Sequence, residues 1–129
     1  MPSENYYKKM LIFGALWNFI VSSSLLLAIA LDLQVWDQFG VTKPPSLVWL
    51  QGYLMFVFCY GIGYYIVSRN LAENHAAILI GIIAKLTVFI EMLYYLIVGD
   101  IGIAVFLIGI GDLIWAILFI EFLIHYKKK

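Results

Sequence analysis

Charge is scarce in this chain. Only 12% of its 129 residues are Asp, Glu, Lys or Arg, against roughly 25% in soluble domains. Cysteine is scarcer still: Cys59 stands alone, which excludes an intrachain disulfide, any thiol-pair redox cycle and a four-helix quinone-linked disulfide enzyme. The formal net charge is zero, so no basic surface argues for nucleic acid. Zinc-ligand spacing, a phosphate-binding loop and a nucleophile triad are missing as well. What fills the chain instead is apolar, 64% of its residues, with a mean hydropathy of +0.98.

Windows long enough to cross hydrocarbon, about 20 residues each, fall at approximately 10–31, 47–68, 76–98 and 101–124. They predict an all-α membrane protein, one domain over 1–129 with four transmembrane helices. A closed barrel needs alternating segments of about 10 residues, and these runs are continuous and longer. The first window is too long for an export signal and has no small-x-small site after it, so it reads as a retained helix. Lys8, Lys9, Arg69, Lys127, Lys128 and Lys129 fall on one side and Lys43 on the other. The positive-inside rule then puts both termini in the cytoplasm.

The longest connection, LQVWDQFGVTKPPS at 33–46, contains Pro44 and Pro45, which stop any regular structure, and Ser46, which is placed to cap the next helix. Trp36, Phe39 and Trp49 read as an interfacial aromatic belt, with a lid over a pocket as the alternative. The connections at 68–76 and around Gly99, Asp100 and Gly102 are short, so successive helices are antiparallel neighbours in an up-down bundle. No internal repeat supports an inverted-repeat transporter. Gly14, Gly52, Gly61, Gly63, Gly81, Gly109 and Gly111 read as helix contact surfaces, and Cys59 as a buried packing thiol.

Against this background the stretch GIIAKLTVFIEM, 81–92, poses a problem, because it carries Lys85 and Glu91 in an apolar window. An ionised side chain at the centre of a membrane helix costs about 3 kcal/mol on insertion scales. Six positions put the two side chains about 9 Å apart along the axis and roughly 120° apart around it, so each needs another partner. Counted from the cytoplasmic end, Lys85 lies at about 14 Å and Asp112 at about 18 Å by helical rise, an offset that a lysine stem spans. The expectation is a buried Lys85–Asp112 ion pair, with Asn18 and Tyr60 at similar depth, forming one polar layer from four helices. Glu91 is expected higher, buried beside Ser22, Ser23, Ser24 and Tyr53. The layer has a structural reading, fixing helix register or joining a partner chain, and a functional one, holding a polar ligand or relaying a proton. Glu121 belongs to the interface. A bis-histidine haem on His75 and His125 is conceivable, though isolated interfacial histidines are the plainer reading, and no metal or cofactor is expected.

FGALWNFIVSSSLLL, GIGYYIVSRNLAENH, LIGIIAKLTVFIE and GDLIWAILFIEFL, one from each window, together resemble the small four-helix membrane proteins grouped as DoxX-like. By that resemblance the recurrent polar and glycine positions are Asn18, Gly63, Tyr64, Arg69, Lys85 and Asp112. The group takes its name from a quinone-linked sulfur oxidation subunit, and the resemblance implies a fold and a bacterial inner (plasma) membrane more readily than an activity. The resulting expectation is an accessory or interaction subunit, not an enzyme on its own, with a membrane protein partner or a second copy. A lipid, quinone or small-molecule site would sit beside the polar layer. The rivals are an oligomeric transporter or channel lined by Lys85, Asp112 and Glu91, and a ligand-binding or catalytic bundle.

Overall fold

A computed structural model describes residues 2–126; the lysines at 127–129 used in the charge count lie outside it. The order of elements is α1 (Glu4–Ala30), α2 (Val35–Phe39), α3 (Val48–Arg69), α4 (His75–Val98) and α5 (Ile103–His125), with no strand among the described residues. α1, α3, α4 and α5 are each long and apolar enough to cross a membrane, as the four windows predict.

The boundaries follow from local chemistry. α1 begins six residues earlier than hydropathy alone indicates, because Ser3 caps it: its Oγ accepts the Tyr6 N–H at 3.2 Å, which satisfies one of the free donors of the first turn. Glu4 and Lys8 pair across that turn at 3.2 Å. The expected cap of α3 is absent, since Leu47 occupies the cap position and no side chain bonds to the helix start. Ser46 lies one residue outside that position. α4 ends on Gly99, whose φ of +85° a residue with a Cβ adopts only under strain. α2 was not anticipated, five residues being too few for a periodic signal, and it is fastened to the start of α5 by the Gly102 N–H, which donates to the Phe39 carbonyl at 3.0 Å. A Cβ on Gly102 would stand 2.6 Å from that oxygen, so the approach requires glycine.

α1 packs along α3, and α4 along α5, while the α3–α4 seam is much looser. Of the glycines read as contact surfaces, five are. Gly14 lies against Phe119, Gly61 against Phe19, Gly81 against Tyr64, Gly109 against Met92 and Gly111 against Trp17. Gly52 has nothing within 4 Å, and Gly63 meets only the Ala77 Cβ at 3.9 Å, so neither is a close contact. Cys59 is exposed on the helix surface and not buried.

The core is not spread evenly along the bundle. Tyr7, Leu11, Tyr64, Val67, Ile78, Phe119 and Phe122 form one buried cluster, drawn from the first half of α1 and α4 and the last half of α3 and α5. Its aromatics stack edge to face, with Tyr7 on Phe122 at 5.3 Å and Tyr64 on Phe119 at 4.7 Å between centroids, a preferred geometry for aromatic pairs. The opposite half, beneath α2, opens into the cavities that border the polar layer, while the filled half carries a surface groove between α3 and α4 beside Gly63 and Ala77.

Candidate functional site

The polar layer stands at the boundary between the filled and the hollow half. Lys85 is 5% exposed, and its Nζ donates to Asp112 Oδ1 at 2.6 Å and to Asn18 Oδ1 at 3.0 Å. The expected ion pair is therefore present, buried, and joins α4 to α5. Asn18 extends the network, since its Nδ2–H donates to the Val57 carbonyl of α3 at 2.9 Å. Four helices are thus tied at one level by three hydrogen bonds around one ammonium and one amide. In hydrocarbon, where no water competes, such bonds between helices are the main polar adhesive.

Trp17 is a member of the layer that the sequence reading missed. Its Nε1–H donates to the same Asp112 Oδ1 at 3.2 Å, and its ring lies against Gly111. The signal was there: Trp17 is the residue next to Asn18, and an indole N–H buried in apolar surroundings must find an acceptor. Tyrosines complete the lining. Tyr64, 1% exposed, sits beneath the layer with its ring centroid 5.8 Å from Lys85 Nζ, a favourable cation–π separation. Tyr60 is half-buried and lines a cavity of about 270 Å³ together with Asn18, Tyr53, Tyr64, Lys85 and Asp112. Its hydroxyl makes no hydrogen bond to the described residues.

Three expected positions lie elsewhere. Glu91 is exposed, not buried beside the serines. Ser22 spends its hydroxyl on the Asn18 carbonyl at 2.6 Å, while Ser23 and Ser24 face outward. The reason is angular: the turn of α4 that points Lys85 inward carries a residue six positions on toward the surface. Glu91 lines a shallow cleft with Tyr53, Val88 and Tyr95, and no cation among the described residues pairs with it. Gly63 and Arg69 are not at the layer either; Arg69 is exposed in the last turn of α3.

Toward α2 the layer faces a second cavity, of about 200 Å³. Asp112 and Trp17 form its inner end, and Trp36 and Phe39 of α2 its outer end. These two aromatics thus cover a cavity, the lid alternative, whereas Trp49, 83% exposed, is placed as a boundary residue would be. Chemically the pair is neutral overall with capacity to spare. An ammonium has three donors, of which Asn18 and Asp112 take two. Both donors to Asp112 use Oδ1, and Oδ2 receives none from the described residues.

The histidines sit at the far end of the bundle. His75 packs edge-on against Phe122 and Tyr126 with its Nε2 on the Leu71 carbonyl, and His125 is exposed with its Nδ1 on the Glu121 carbonyl at 3.1 Å. Glu121 accepts the Tyr6 hydroxyl at 3.1 Å. Among the described residues no three His, Cys, Asp or Glu side chains gather where they would hold a metal ion. Comparison with family models, with curated proteins and with solved structures finds no match to this chain.

Proposed function

We propose that the chain is an integral membrane protein that holds a small, largely apolar molecule at the polar layer and acts as an accessory or interaction subunit in a larger membrane activity. The observation that carries this is the buried Lys85–Asp112 pair, which borders cavities while keeping hydrogen-bonding capacity on both partners. A pair built only to fix register would be enclosed by packing, as the aromatic cluster is. Membrane-buried charge marks a functional site more often than soluble burial does.

In this reading the helices run up and down in antiparallel order with both termini cytoplasmic, in a bacterial inner membrane, and the fold is of the DoxX-like kind. Contacts of Tyr7 with Tyr126 and of His75 with Tyr126 support a common end for the start of α1, the α3–α4 turn and the end of α5. Lys8, Lys9 and Arg69 make that end the cytoplasmic one by the positive-inside rule. Reporter fusions at the two termini should give the same compartment; opposite compartments would overturn the orientation. Within one chain, a transport path lined by Lys85, Asp112 and Glu91 is the weaker reading, because Glu91 faces outward.

The test is gentle extraction followed by native mass spectrometry of the intact protein. The reading expects a bound small molecule that is lost in Lys85→Met, with or without a stoichiometric partner chain. A chain carrying only bulk phospholipid, unchanged by Lys85→Met, would contradict it.

A further inference from the structure

The cavity under α2 is built in a way that specifies its ligand. Trp17, Val21, Leu25 and Ile29 line it from α1 at four-residue spacing, which keeps them on one helix face. Ile101, Val105, Ile108 and Asp112 line the opposite wall. Twelve residues of helical rise from Trp17 to Ile29 make the cavity about 18 Å long, and its volume of about 200 Å³ makes it slender. Every wall is apolar or aromatic except the inner end, where the carboxylate of Asp112 meets it. Asp112 Oδ1 is occupied by Lys85 and Trp17, so the second oxygen is the acceptor that this end offers. The side chain keeps 14% of its surface accessible and borders both this chamber and the cavity lined by Tyr60 and Lys85.

Above the cavity, Trp36 and Val41 are shared with a wide outer depression of about 710 Å³ lined by Asp32, Asp37 and Lys43. They are the partition between a polar vestibule and the apolar chamber. The chamber therefore has an aromatic roof near water and two polar groups farther in, the Asp112 carboxylate at its inner end and the Tyr53 hydroxyl on its wall.

We propose that this chamber binds a neutral, slender single-chain alcohol, seated with its hydroxyl donating to Asp112 Oδ2 and its chain running outward to Trp36 and Phe39. The proposal rests on the ligand-binding reading above and names the ligand class. Charge decides against the other end groups. A fatty carboxylate would set a second anion against Asp112, whose compensating cation is already engaged. An amine would meet a carboxylate already neutralised by Lys85. A phospholipid headgroup would have to leave water for the bilayer interior. A plain hydrocarbon fits the walls but leaves Oδ2 desolvated without a donor, the more expensive state for a buried acceptor.

The experiment uses the full chain in detergent and a dodecanol brominated at its far end, read by quenching of tryptophan fluorescence. Saturable quenching is expected, largely lost in Trp36→Phe because the bromine rests beside that ring. A hydrogen bond to a charged group is worth about tenfold or more in affinity, so the methyl ether of the same probe should bind at least about tenfold more weakly, and the brominated dodecanoate more weakly still. Val105→Phe, which fills the chamber without touching the ion pair, should weaken the alcohol by a similar factor; if it does not fold, Leu25→Phe on the facing wall serves. Equal binding of alcohol and ether, or alcohol binding indifferent to both filling variants, would overturn the proposal. The two readings separate cleanly. An endogenous molecule lost in Lys85→Met but no binding of the alcohol leaves the ligand-binding function standing and removes this site. Alcohol binding without any endogenous small molecule does the reverse.

Discussion

The two halves of this bundle are made from the same kinds of residues and are packed differently. Near the start of α1, aromatic rings and branched aliphatics fill the space between all four long helices, and Leu11, Val67, Ile78, Phe119 and Phe122 are fully buried. Beneath α2 the same helices diverge around cavities lined by Leu25, Leu50, Val105 and Ile108. The difference teaches where stability and binding reside. Side chains within close-packed surroundings make many dispersion contacts, and those lining a void forfeit part of them. The filled half holds the helices together, the hollow half offers space, and the polar layer is the floor on which the second rests.

That division can be broken most severely from the filled side. Phe119→Ala removes a fully buried ring that touches Tyr64 and the Gly14 surface, and should cost about 3–5 kcal/mol, read as a large drop in the detergent melting temperature. Next comes the layer itself: Trp17→Phe deletes one donor to the Asp112 carboxylate while Lys85 still holds it, a loss of about 1.5–3 kcal/mol. Ile108→Val in the chamber wall should cost well under about 1 kcal/mol, below the usual range for a close-packed site, because that wall already lacks neighbours. The smallest loss belongs to Glu91→Gln, since Glu91 is exposed and pairs with no described residue; removing a carboxylate from the outer face of a membrane helix should leave the detergent melt at or above that of the parent. A large loss there would mean that Glu91 is covered by another chain.

Lys85 and Glu91 repeat the comparison on a single helix. Helical rise was enough to place Lys85 opposite Asp112 and level with Asn18, because depth depends only on counting residues from a helix end. Whether a side chain points inward depends on helix rotation, and near-uniform hydrophobicity around all four long helices hides it. That is why the sequence points Glu91 and Cys59 inward while the structure exposes both. Trp17 is masked in the sequence by the common preference of tryptophan for the water boundary. The roof formed by Trp36 and Phe39 is hard to read from sequence because the same amphipathic rings suit an interfacial belt equally well. The missing Ser46 cap shows that a capping residue type one position off the helix start does nothing.

The account turns on Lys85 and Asp112 acting as one unit inside the membrane-spanning helices, and the most direct measurement is a double-mutant cycle by thermal melts in detergent with Lys85→Met, Asp112→Leu and the two combined. Each single replacement strands a charged or polar partner in apolar surroundings and should cost about 3 kcal/mol or more, while the double variant should recover much of that loss. Losses that simply add, or single variants as stable as the parent, would contradict it.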